Sequence, residues 1–146
     1  MADSIDEKLI QLLERDARQS SEVLAKQLKV SPATVRRRIK KLIQSGVLRI
    51  VALVDPQKVG FPLIAIIAFD IAHEKLESVI QMLADRPEVK YVSTTTGRFD
   101  VLIQARFRST EELSDFVQKE LPNVEGIRDS ETFVCLQVKK GRYIQI

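Results

Sequence analysis

Residues 31–46 read SPATVRRRIKKLIQSG, and this stretch decides the N-terminal fold. Ser31 can cap the free N–H groups of a helix's first turn, and Pro32 falls at the first helical position, where its missing N–H leaves no hydrogen bond unmade. Val35, Ile39, Leu42 and Ile43 recur at steps of three and four, the spacing of one helix face. Gly46 follows, where a helix commonly ends on a left-handed residue. The stretch therefore predicts a helix with marked ends and one apolar stripe. Outside the stripe lie Ala33, Thr34, Arg36, Arg37, Arg38, Lys40, Lys41 and Gln44. Five of the twelve residues from 31 to 42 are basic and none is acidic. A solvated helix usually mixes signs, because opposite charges three or four residues apart support it. A face of one sign needs counter-charges from elsewhere, and duplex DNA supplies them as phosphates.

Upstream, Ile5, Leu9, Leu12 and Leu13 outline a first helix, with Asp3, Asp6 and Glu7 near its start, where the helix dipole favours acids. A second helix begins at Ser20 or Ser21 and carries Val23, Leu24 and Leu28. Four residues, Leu28 to Ser31, lead from it to the third. Short helix, tight turn and short helix make a helix-turn-helix. In that motif the second helix enters the major groove with its N-terminal residues on base edges. Ser31, Pro32, Ala33, Thr34 and Arg37 hold those positions. Arg37 suits bidentate pairing with guanine, and the methyls of Ala33 and Thr34 suit thymine. Arg36, Arg38, Lys40 and Lys41 are assigned to phosphates.

Downstream, the β-branched run 47–54 predicts a strand leaving the helical domain. Asp55-Pro56 and Gly60-Phe61-Pro62 punctuate the chain. These signals set a winged-type helix-turn-helix domain at 1–54, a linker at 55–62 and a second domain at 63–146. In the second domain, strands are expected at 63–71, 89–95, 100–107 and 127–139. One helix carries Leu76, Val79, Ile80 and Leu83 and closes at Arg86-Pro87. Another opens with Ser109 and Glu112 as a capping box and carries Leu113, Phe116, Val117 and Leu121. The order β-α-β-β-α-β is ferredoxin-like, so the chain as a whole is α+β. The first and last of these strands are apolar on both alternations, which implies burial on both sides. Two sheets meeting face to face in a homodimer would provide it. Cys135, with apolar neighbours, is expected in the core, and His73 at a strand-to-helix junction on the surface.

Charge agrees with two jobs. The 146 residues carry a net charge of +3, but residues 1–50 hold +5 and the remainder −2. Other classes fall away. The start MADSIDEK places acids where a signal peptide needs a basic and then apolar stretch. The apolar run 63–69 is far short of the roughly 20 residues that span a bilayer. One cysteine and one histidine exclude an internal disulfide, a Cys-based zinc site and a His cluster. No phosphate-cradling Gly-rich loop, metal-ligand set or nucleophile–base pair is present. The expectation is a cytoplasmic, nucleoid-associated protein with no cofactor, no membrane contact and no enzymatic activity.

Ile5-Asp6, Leu24-Ala25, Leu28-x-Val30-Ser31, Val35-x-x-Arg38-Ile39-x-x-Leu42 and Gly46-Val47 occur here in order, followed by Pro87-x-Val89, Thr96-Gly97-x-x-Asp100 and Ser130-x-Thr132. In this arrangement the sequence resembles the Lrp/AsnC transcriptional regulators over nearly its whole length. The resemblance implies a DNA-binding regulator whose C-terminal RAM-type domain dimerises and builds tetramers or octamers. It also implies small effectors, commonly amino acids, bound in clefts between dimers. By motif position the effector residues are Gly97, Asp100, Ser130 and Thr132. The same Thr-Gly-x-x-Asp reads equally as an ordinary hairpin turn. Family members usually carry Gly where Lys29 stands, often Glu where Val23 stands, and often Tyr where Phe99 stands. A ligand-independent architectural protein and a decarboxylase-type enzyme of the same architecture are the alternatives. Relatives of the latter kind depend on histidines and arginines in the C-terminal cleft, and the one histidine of this chain lies outside the motif regions.

Overall fold

Asp3 opens the first helix, α1 (Ser4–Arg15), by accepting from the backbone N–H groups of Ile5 at 3.0 Å and Asp6 at 2.9 Å. Asp6 returns the contact to the Asp3 N–H, completing a capping box. The second helix, α2 (Ser21–Leu28), is capped by Ser20 and ends on Lys29. That residue is left-handed, at φ 54° and ψ 44°. This conformation crowds a side-chain Cβ and costs roughly 1–2 kcal/mol outside glycine. The third helix, α3 (Pro32–Gln44), has Ser31 as its cap, with the Thr34 N–H donating to Oγ at 3.1 Å. Leu9, Leu13, Leu24, Ala25, Val35 and Leu42 form one buried cluster among the three helices. Ile43 is exposed, so the apolar stripe of α3 is narrower than its spacing predicts.

The computed structural model describes residues 3–141. They fall into two units that divide between Val51 and Ala52, a few residues ahead of the boundary expected at 55–62. The predicted strand at 47–54 is not formed: only Val54 makes a β-bridge. Val47, Ile50, Val51 and Leu53 are exposed. β-branched residues favour a pleated surface, but a strand needs a neighbour to bond with. The expected linker holds a 3₁₀ turn, Pro56–Val59, capped by Asp55.

The second unit runs β1 (Leu63–Ile71), a 3₁₀ turn at His73–Lys75, α4 (Leu76–Ala84), β2 (Val89–Thr94), β3 (Val101–Phe107), α5 (Thr110–Asp115) and β4 (Ile127–Val134). Between α5 and β4 the chain passes through a π turn, Phe116–Glu120, and a 3₁₀ turn, Leu121–Asn123. The strand order is β2-β3-β1-β4, every neighbour antiparallel. This is the expected ferredoxin-like arrangement. Ala65, Ile67 and Phe69 of β1 join Val101, Ile103, Ala105 and Phe107 of β3 against Val79, Leu83, Leu113, Phe116 and Leu121. On the opposite face Ile64 and Ala68 are buried and Ile66 is exposed. The expectation that β1 is apolar on both sides therefore holds at two of three positions within this chain.

Three details differ from the sequence reading. The last strand stops at Val134, not at 139. Cys135 still donates its N–H to the Ile64 carbonyl at 2.8 Å, opposite the second residue of β1, but the regular pairing ends at Val134. Leu136 is accordingly 97% exposed. Cys135 lies in this fringe, half-buried rather than in the core. The capping box at Ser109 is half made: its Oγ accepts from the Glu112 N–H at 3.2 Å, while the Glu112 carboxylate turns to the Arg108 N–H. Gly126 sets the approach of β4 to the turn before α4. Its φ is +105°, and a Cβ there would lie 2.4 Å from Lys75 Cβ.

Candidate nucleic-acid interface and effector site

The outward face of α3 collects the basic side chains but does not leave them equivalent. Arg37, Lys40 and Lys41 make no ion pair among the described residues. Arg36 approaches Glu22 of α2 at 3.4 Å, with both side chains largely exposed. Arg38 is different. Its Nη1 donates to Asp6 at 2.7 Å and to Asp3 at 2.8 Å, and its side chain is only 21% exposed. The two carboxylates raise its pKa further above the ordinary arginine value. Asp3 is held below the usual carboxylate range, first by the Asp6 N–H and then by Arg38. This geometry gives Arg38, expected to hold a phosphate, an internal role: two carboxylates meet its charge, and it ties α3 to the start of α1. The signal was present, since Arg38 stands three residues after Val35 and four before Leu42, both buried. The same i, i+3, i+4 rule that defines the stripe also places Arg38 on its margin.

At the start of α3, Ser31 Oγ lies 2.9 Å from Thr34 Oγ1 while capping the helix. Ser31 and Ala33 are exposed, and Pro32 and Thr34 are partly so. These short side chains let the helix N-terminus come close to a surface. Arg37 projects one turn further on. Arg37, Arg38 and Lys41 line a concavity of about 280 Å³ with Asp3 and Asp6. Arg36 and Lys40 line another of about 540 Å³ with Ser21, Ile39, Ile43 and Gln44. The arrangement suits a rod of negative charge lying along α3.

In the second unit the predicted effector residues gather at one end of the sheet. Phe69 of β1 pairs with Val101 on one side and Ser130 on the other, and Ile67 pairs with Thr132. Asp100, next to Val101, donates its N–H to the Phe69 carbonyl at 2.8 Å. Asp100 and Ser130 thus flank β1, two strand spacings or about 10 Å apart. One Asp100 oxygen is engaged, accepting from the Ile71 N–H at 2.8 Å. This bond closes β1 at its bulge and gives Asp100 a structural duty as well. Thr95 Oγ1 donates to the Phe99 carbonyl at 2.6 Å and holds the turn. Gly97 sits at φ +111° in that turn and is exposed. Ser130 and Thr132 are half-buried.

Helix-turn-helix and sheet can each be matched to known proteins. Residues 3–43 match the AsnC-type helix-turn-helix domain, and residues 64–144 match the Lrp/AsnC ligand-binding domain. The chain belongs to the Lrp/AsnC family. Its Lrp/AsnC relatives include an HTH-type transcriptional regulator of Pyrococcus furiosus, 35% identical over all of this chain and 99% of the relative. Another, from Pyrococcus abyssi, is 35% identical over 99% of this chain and 92% of its own length. Among solved Lrp/AsnC structures, E. coli AsnC superposes with a TM-score of 0.87 at 26% identity, covering 95% of each chain. A Neisseria meningitidis transcriptional regulator in complex with L-Met superposes at 0.88 with 29% identity, covering 96% of this chain and 93% of that one. This protein is accordingly a DNA-binding transcriptional regulator of the Lrp/AsnC family with a ligand-binding domain. No helix among the described residues is long and apolar enough to cross a membrane.

Sequence reasoning passed over four residues of the second unit. Arg106 is 1% exposed. Its Nε, Nη1 and Nη2 have no hydrogen-bond partner among the described residues. Phe61 lies over its guanidinium, 5.2 Å from the ring centroid, and over that of Arg108 at 5.0 Å. Burial lowers the pKa of Arg106. Lys90 is lowered too, first by burial and then by the Arg106 charge, with Glu88 opposing. The sequence signal was a basic residue inside the strand Val101–Phe107, whose other residues are apolar except Gln104.

Proposed function

We propose that the protein binds duplex DNA as a homodimer, in which two copies of α3 enter successive major grooves of a roughly palindromic site. Arg37 reads a base, with Ser31, Pro32, Ala33 and Thr34 fitting against the groove wall. Arg36, Lys40 and Lys41 hold phosphates. The carrying observation is the division of labour on α3: among the described residues Arg37, Lys40 and Lys41 have no internal ion-pair partner, beside an Arg38 that has two. Dimerisation is assigned to the open face of the sheet, where Ile66, Tyr91 and Phe133 are exposed. An amino acid bound near Gly97, Asp100, Ser130 and Thr132 changes assembly to tetramer or octamer and hence avidity. The L-Met complex of the Neisseria relative supports that class of effector. The protein acts in the cytoplasm, on the nucleoid, without a cofactor or catalysis.

The test uses a duplex selected by the protein from a random-sequence pool. Arg37→Ala should weaken binding by about 1–3 kcal/mol and relax one base position. Lys40→Ala should lower the salt slope by about one and keep the sequence preference. Unchanged affinity for Arg37→Ala refutes the base-reading role. For the effector, the twenty amino acids are screened by thermal shift with light scattering. A ligand that still binds Asp100→Ala with wild-type affinity refutes that placement.

A further inference from the structure

The turn between α2 and α3 holds a charge with no part yet in packing or binding. α2 closes on one acceptor: the Lys29 and Val30 N–H groups both donate to the Ala25 carbonyl, the second at 3.1 Å. That closure needs a left-handed residue where Lys29 stands. Glycine takes this conformation freely and asparagine tolerates it, whereas the Cβ of a lysine crowds its own backbone there. Lys29 is the one non-glycine residue with a positive φ among the described residues, and the other positive-φ positions are all glycines. At this one turn the chain accepts strain that it avoids elsewhere. A residue held in a sparsely populated conformation points to a use for its side chain.

Nothing inside the helical unit offsets that strain. Leu28 and Val30, on either side, pack against the helical core. Lys29 between them is exposed and makes no ion pair among the described residues. Its surroundings carry one sign: residues 23 to 54 hold eight basic residues and no acid. The positive field of α3 therefore continues back through the turn. Lys29 also stands two residues before Ser31, the cap of α3. This is the end of the helix whose short side chains suit base edges. Phosphates rim the groove beside an inserted helix, and a lysine ammonium on its flexible stem meets a phosphate as a point charge. We propose that Lys29 is a further DNA-binding residue, its ammonium on a backbone phosphate at the rim of the groove that the start of α3 enters. The assignment rests on α3 lying in the major groove. The left-handed strain is then the stability cost of a charge placed at this turn.

The experiment measures affinity of the full-length protein for the selected duplex across a sodium chloride series, in wild type, Lys29→Gly, Lys29→Asn and Lys29→Arg. Glycine and asparagine keep the turn and remove the charge, so both should lower the salt slope by about one. As salt falls from about 200 to 50 mM, the advantage of wild type over Lys29→Gly should grow about three- to fourfold. Lys29→Arg keeps the charge and should keep the slope. A phosphate contact carries no sequence information, so the preferred bases should be those of wild type in every variant. The melting temperature of Lys29→Gly should rise by about 2–4 °C as the left-handed strain is relieved. Binding and stability therefore move in opposite directions, which a merely structural residue would not produce. Unchanged slopes in both Lys29→Gly and Lys29→Asn overturn the proposal. If Lys40→Ala lowers the slope in the same series, the failure is that of Lys29 alone; if it does not, the groove placement of α3 fails as well. A lower melting temperature in Lys29→Gly also overturns the proposal, because weaker binding would then follow from a loosened helical unit.

Discussion

Each unit of this protein buries part of an arginine, and the two are treated in opposite ways. In the helical unit Arg38 lies between two carboxylates at 2.7 and 2.8 Å. In the sheet unit Arg106 is more deeply enclosed, and its guanidinium meets no acceptor among the described residues. The first is a structural tie made through Nη1, with only Nε left without a partner among the described residues. The second is an unfinished contact. A buried charge contributes to stability only when its partners are in place, and otherwise it is retained against stability. The contrast teaches that charge on this protein cannot be read by counting: one predicted ligand of DNA is already satisfied, while a residue that drew no notice is left unsatisfied.

The comparison can be tested by perturbing one unit at a time. The largest expected effect is Gly126→Ala, which forces a Cβ to 2.4 Å from Lys75 Cβ at a φ of +105°. It should destabilise the sheet unit by about 2–4 kcal/mol and leave the helical unit unmoved. Calorimetry would show one transition falling and the other staying. A uniform shift of both would mean that the units fold as one. Next comes Arg106→Met, which replaces an unpaired guanidinium with an apolar side chain of similar length. Urea unfolding should give a gain of about 1–2 kcal/mol. A loss instead would show that Arg106 is satisfied and would remove the contrast.

Arg38→Met should act the other way, lowering the helical unit's melting temperature by about 2–4 °C. Its salt slope on DNA should stay at the wild-type value, unlike that of Lys40→Ala. A drop of one in the slope would return Arg38 to the phosphates. The smallest effect is one of pH. Asp3 is depressed below its ordinary value of 3.8 by the Asp6 N–H and Arg38. Its contribution is therefore present above about pH 4 and is lost as the pH falls through the lower, folded-state value. Between pH 5 and pH 3 the helical unit of wild type should lose more stability than that of Arg38→Met. Equal losses would separate Asp3 from Arg38.

Much of this architecture was legible because local chemistry and tertiary packing agree. Ser31, Pro32 and Gly46 mark the ends of α3, and the strand expected at 63–71 is β1 without adjustment. What failed did so where a partner decides the outcome. Residues 47–54 have strand composition, yet only Val54 finds a partner, in a single β-bridge. Val134 and Leu136 alternate like a strand, yet the pairing with β1 ends at Val134 and Leu136 is left exposed. At the candidate sites, the basic face of α3 could be seen from its spacing. Which arginine faces inward depended on where Asp3 and Asp6 of another helix come to rest. Arg106 was hidden for the reverse reason, since nothing in a strand pattern tells whether a buried charge will find its counter-ion.

The two outer strands of the sheet carry one more consequence. β4 has Arg128, Asp129 and Glu131 within its first five residues, and β2 has Lys90 at a register shift between Val89 and Tyr91. Free strand edges invite further strands, and charges and bulges on them are what stop such addition. Growth of this sheet by lateral recruitment of other chains is thereby discouraged, and its polymerisation in a crowded cell is held in check. Larger assemblies are left to form through surfaces of finite extent, which close, rather than through edges, which do not.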